Sequence, residues 1–153
     1  MLRIKSDLNQ IVRFGANVEG ALAAGTDVAQ GSWVVKTNDL FELPDDGVAG
    51  AFQIFTESNR DGTAGWAPQA SASPNTRLTA LHGKYIAATD RYDGTPVAGD
   101  TLGVNAAGNL AVIDDGTGDT LAATSVAVAV CTKEPYAENH LDADTTMIEF
   151  ATL

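Results

Sequence analysis

Short runs of apolar and β-branched residues alternate with turn-forming punctuation along this chain, and the runs predict strands. Residues 32–37 (SWVVKT) suit a pleated strand, Asn38-Asp39 is a turn signal, and residues 40–43 (LFEL) return as its partner. Residues 51–56 (AFQIFT) and 85–89 (YIAAT) read as further strands. Residues 125–132 (SVAVAVCT) are apolar on both sides of the alternation, which predicts a strand buried on both faces or between subunits. At the end of the sequence, residues 147–153 (MIEFATL) set Met147, Glu149 and Ala151 against Ile148, Phe150 and Thr152, giving the one greasy face of a strand at the side of a barrel. Residues 77–82 fit either one turn of helix or the start of a strand, and residues 135–145 read as an acidic loop.

The punctuation points the same way. Asp46-Gly47, Asp61-Gly62, Asp93-Gly94 and Asp115-Gly116 are turn dipeptides, because Asp and Gly tolerate the positive φ of tight turns. Fifteen glycines among many Thr and Val residues make poor material for long helices. The expected fold is therefore all-β, a small β-barrel or sandwich with short helical turns. One layout recurs: residues 32–43 end in Asp45-Asp46-Gly47, while residues 101–104 (TLGV) and 110–113 (LAVI) end in Asp114-Asp115-Gly116. True duplication and two hairpins built by the same turn chemistry both account for it.

Two segments stand apart from the strands. Residues 1–14 hold Arg3, Lys5 and Arg13 against the single acid Asp7, with Ile4, Leu8, Ile11, Val12 and Phe14 as apolar contacts. They read either as an ordinary first strand or as an N-terminal arm that docks on a partner. Residues 57–75 (ESNRDGTAGWAPQASASPN) form a long Gly/Ala/Ser/Pro loop of the kind that is functional or mobile, with Trp66 near its centre. That indole is expected either on its own barrel or in a neighbour, since interface cores favour Trp. The predicted organisation is an arm over 1–14 and a single β-rich domain over 15–153, with a mobile loop at about 57–75.

Charge narrows the function. Nine basic residues against 20 acids give a net charge of -11, which argues against direct nucleic-acid binding through phosphates and against anionic membranes. A hydrophobic content of 44% is too high for a wholly disordered chain across its 153 residues. The N-terminal sequence MLRIKSDLNQ lacks the apolar stretch of a signal peptide, so synthesis in a cytoplasm is expected. Cys131 is the single cysteine, so no intrachain disulfide forms. Paired with His82 or His140 it is a conceivable thiolate nucleophile, but its place in an apolar strand predicts a small buried hydrophobe. The sequence has no HExxH, Walker A, GxSxG or GxGxxG motif. The oxygen-rich runs at 114–119 and 142–144 lack EF-hand spacing and read as solvated turns. Neither a cofactor, a metal nor a catalytic residue is expected.

Residues 94–102 (GTPVAGDTL), then Gly108-Asn109-Leu110-Ala111-Val112, the Val/Ala run at 126–130, an acidic loop and Ile148-Glu149-Phe150 carry a likeness. Together they resemble the small β-barrel decoration, or cement, proteins of tailed-bacteriophage heads, and residues 24–43 fit the same pattern. The resemblance covers about two thirds of the chain. It implies a structural virion protein, not an enzyme, made in the host cytoplasm and placed on the outer capsid surface. It further implies that copies form a homotrimer and bridge major capsid protein subunits, resisting the pressure of packaged DNA. Arg3, Ile4, Lys5, Ile11, Arg13, Phe14 and Trp66 are the candidate capsid- or partner-binding residues.

Two other readings compete. A head-fibre base or carbohydrate-binding β module would use Trp33, Trp66 and Tyr92 as stacking platforms. A small β-barrel hydrolase or lyase would use two of the acids as a pair.

Overall fold

In the computed structural model, residues 2–7, 18–24, 26, 28–48, 52–56, 77–114, 121–140 and 143–153 are described. They form twelve strands: β1 (Leu2–Asp7), β2 (Val18–Leu22), β3 (Trp33–Thr37), β4 (Leu40–Glu42), β5 (Phe52–Thr56) and β6 (Arg77–Leu81), then β7 (Tyr85–Thr89), β8 (Tyr92–Asp93), β9 (Thr101–Val104), β10 (Leu110–Val112), β11 (Ala129–His140) and β12 (Ala143–Thr152). The fold is all-β. β2 to β6 close a barrel in the order β2-β4-β3-β5-β6, and the remaining strands make a sheet ordered β1-β7-β12-β11-β9-β10-β8.

The second sheet repeats the topology of the first. In the barrel, β2 runs parallel to β4, and the β4–β3, β3–β5, β5–β6 and β6–β2 pairs are antiparallel. In the sheet, β8 runs parallel to β10, and the β10–β9, β9–β11, β11–β12 and β12–β7 pairs are antiparallel. β7 and β8 together take the part of β2. Only Asp90 and Arg91 separate them, so the chain itself curls one end of the sheet towards the other. The two hairpins whose sequences echo one another, β3–β4 and β9–β10, hold equivalent positions in this repeat.

Local chemistry explains the elements. Asn38 and Asp39 both take positive φ, 50° and 67°, as the two-residue mirror-image turn between paired strands requires. Val34, Phe41, Ile54, Leu78 and Leu22 fill the first barrel. Leu102, Val104, Leu110, Ala129, Cys131, Ile148 and Phe150 fill the second unit, and its core extends to Trp33 and Leu81 of the first.

Several expectations need correction. The described residues contain no helical turn, and Arg77–Leu81 is strand because it lies between β5 and β2 in the barrel wall. The strand expected at 125–132 starts only at Ala129, and Val126 is 47% exposed. The stretch before Ala129 instead lies against other backbone, with Val126 N–H donating to the Gly47 carbonyl (2.8 Å) and Val128 N–H to that of Leu102 (2.9 Å). Nor is the acidic segment at 135–145 an open loop. Tyr136 to His140 pair with Met147 to Ala143 as a long hairpin, and Pro135 falls at a register shift, where a missing N–H does not interrupt the ladder. Leu2–Asp7, for which a first strand is one of the readings, is strand β1, paired with β7 along its length. The rest of the expected arm and the loop at 57–75 lie outside the described residues.

Candidate docking surface

The two units meet through buried polar contacts as well as a shared core. Tyr85 Oη donates to Gln53 Oε1 (2.7 Å), and Gln53 Nε2 donates to the Gly31 carbonyl (2.9 Å). Main-chain bonds add to this, Trp33 N–H to Gly108 O (2.8 Å) and Gly47 N–H to Val104 O (2.9 Å), and the Asp46 carboxylate accepts from Ala106 N–H (2.6 Å). Gly108 permits a close approach of backbone to backbone, because a Cβ there would stand 2.7 Å from the Trp33 carbonyl oxygen. Burial pushes the Tyr85 phenol far above its ordinary range, which keeps it a donor. The junction is therefore a fixed joint.

At the outer side of this joint a cleft of about 260 Å³ opens between Trp33, Tyr85, Val126, Val128 and Leu153, with Lys84 and His82 at its rim. No carboxylate or thiol side chain lines it among the described residues. Leu153 is 58% exposed there, while Trp33 is only 4% exposed and stacks at a tilt on Phe150, with ring centroids 6.2 Å apart. Trp33 is thus part of the core and offers no open platform for a sugar ring, and Tyr92 is packed against the same core.

The residues considered for nucleophilic chemistry are also placed. Cys131 is buried, and burial raises its thiol above the ordinary range, reinforced by the charges of Asp100 and Glu134. Its Sγ donates to the Lys133 carbonyl (3.3 Å). His82 lies instead against Phe52, with ring centroids 5.3 Å apart. Asp93 binds the side-chain amides of Asn105 and Asn109, the latter at 3.2 Å. Asn105 Oδ1 in turn accepts from the main chain of Ala107 and Asn109, so this carboxylate buttresses the β9–β10 turn.

Among the described residues, two backbone surfaces remain open. β1, which carries Arg3, Ile4 and Lys5, ends the sheet order and among the described residues pairs with β7 alone, with a register shift between Ile4 and Ser6. The β11–β12 hairpin outgrows its neighbours, because β9 and the Gly99-Asp100 backbone before it leave β11 at Cys131 (Cys131 N–H to Asp100 O, 2.9 Å) and β7 leaves β12 at Ile148. Beyond those points the two strands form a ribbon, paired among the described residues only with each other. At its base Tyr136 Oη donates to Glu149 Oε1 (3.2 Å), and Lys133 Nζ sits 3.7 Å from the Tyr136 ring centroid. Sequence reading missed the ribbon, because residues 136–140 (YAENH) carry no apolar–polar alternation and follow Pro135. Ile11, Arg13, Phe14 and Trp66 lie outside the described residues. The connection that holds Trp66, between β5 and β6, occupies the same topological position as the ribbon turn between β11 and β12. No family model matches the chain, and no curated protein matches its sequence.

Proposed function

We propose that this chain is a structural virion protein that binds the outer surface of a tailed-phage capsid and stabilises the mature head by bridging major capsid protein subunits. The observation that carries the reading is the fixed joint between the two units, centred on the buried Tyr85–Gln53 hydrogen bond. A brace that resists internal pressure must transmit load between its ends without hinging, and a joint of shared core and paired backbone does so. Its partners are the major capsid protein and copies of itself, as a homotrimer. Contacts come from Arg3, Ile4 and Lys5 of β1, from Ile11, Arg13 and Phe14 beyond it, and from Trp66. Modest energies per contact add through many tethered copies, so grip alone performs the work.

The test is addition of purified protein to expanded heads that lack it. Saturable co-sedimentation and a higher temperature of head disruption are expected. Protein that stays in the supernatant at every concentration overturns the reading.

A further inference from the structure

We infer that the acidic β11–β12 ribbon of one copy pairs with the open edge of β1 in a second copy. The inference rests on the part of the proposed function in which copies meet one another, and it leaves Arg13, Phe14 and Trp66 for the capsid.

Backbone geometry supplies the first argument. β1 is the terminal strand of its sheet, and no described strand lies on its outer side. An edge of unpaired N–H and C=O groups is a template for a further strand. The ribbon needs such a partner. From Tyr136↔Met147 to His140↔Ala143 it is two strands wide, and an isolated two-stranded ribbon is marginal in water.

Charge supplies the second. Residues 133–147 hold Glu134, Glu138, Asp142 and Asp144 against Lys133 alone. Copies carrying a net charge of -11 repel one another over most of their surface. Strand β1, with Arg3 and Lys5 against Asp7, is the stretch of sequence that attracts the ribbon.

Topology makes the contact intermolecular. β7 lies between β12 and β1, so the open side of β1 faces away from the ribbon of its own chain. Two different surfaces then meet, and such a heterologous contact propagates until a rotation closes it into a ring, as in a trimer.

The experiment is sedimentation velocity on the full chain across protein concentration and salt, with circular dichroism confirming the fold of each variant. Wild-type protein should assemble at low salt and fall apart towards 1 M salt, where the screening length shrinks to about 3 Å. R3E/K5E and E138K/D144K should each weaken association by more than about tenfold. The fourfold variant R3E/K5E/E138K/D144K, with both charges exchanged, should assemble again. If R3E/K5E fails to fold, E138K/D144K and the salt series decide. A wild-type monomer at low salt, reversals without effect on assembly, or a folded fourfold variant that stays monomeric overturns the inference. Monomers that still pellet with heads refute this contact alone, whereas assemblies that do not pellet refute the capsid reading alone.

Discussion

Tyr85 and Gln53 share a buried hydrogen bond of 2.7 Å although they belong to different repeats, Tyr85 to the second and Gln53 to the first. Gln53 is fully buried, so its carbonyl oxygen has no recourse to water when that donor is lost. Tyr85→Phe should therefore destabilise the chain by about 1–3 kcal/mol. Each kcal/mol should lower Tm by about 2–4 °C at this chain length. Removing both partners in Tyr85→Phe/Gln53→Leu should cost less than the sum of the two single changes, as read by thermal denaturation in a double-mutant cycle.

The same phenol sets an alkaline limit. Above about pH 10 Tyr85 ionises in the unfolded chain but keeps its proton in the folded one, because burial raises its folded value. The folded state then binds more protons than the unfolded, so stability falls as pH rises, by up to about 1.4 kcal/mol per pH unit for this group. Below that pH its contribution is complete. The raised Cys131 thiol acts with the same sign from about one pH unit lower. Denaturant titrations between pH 8 and 11 should show the loss, and Tyr85→Phe should flatten it.

Gly108 and Gly99 separate backbone strain from close approach. Both take positive φ, 76° and 104°. A Cβ at Gly99 meets nothing within 4 Å, whereas one at Gly108 meets the Trp33 carbonyl oxygen. Gly99→Ala should cost about 1–2 kcal/mol from its conformation alone. Gly108→Ala should cost clearly more and loosen the joint, seen as faster hydrogen exchange at the Trp33 amide.

Cys131 should resist alkylation in the native protein and react once the chain is unfolded, since it is buried and its thiolate is disfavoured. Iodoacetamide labelling at pH 8.5, with and without guanidinium, checks this by mass spectrometry. Rapid native labelling would show that β11 opens around the thiol.

Much of the fold was legible from local signals. Asn38-Asp39 marked its hairpin because those residue types tolerate positive φ, and Tyr85–Thr89 announced itself by β-branched and aromatic content. The repeat of β3–β4 in β9–β10 was visible as echoed turns, but its meaning lay in strand order, which a sequence does not display. The run at 125–132 misled because apolar residue types fix neither exposure nor hydrogen-bonding pattern: Val126 is 47% exposed and the strand starts only at Ala129. Val126 N–H bonds Gly47 across the joint and Val128 N–H bonds Leu102 within the second unit, where the chain is irregular. The ribbon was hidden for the opposite reason. Its polar residues and Pro135 resemble a loop, yet the register shift at Pro135 lets the ladder continue beyond it. Of the proposed contact residues, Arg3, Ile4 and Lys5 drew notice through charge against an acidic background, while the open edge beside them follows only from topology.

The measurement that bears most directly on the account is the quantity of protein retained on expanded heads at saturation. A brace between capsid subunits predicts a fixed ratio of chains to those subunits, together with heads that survive greater heat. Absence of retained chains, or chains bound without any gain in head stability, would contradict it.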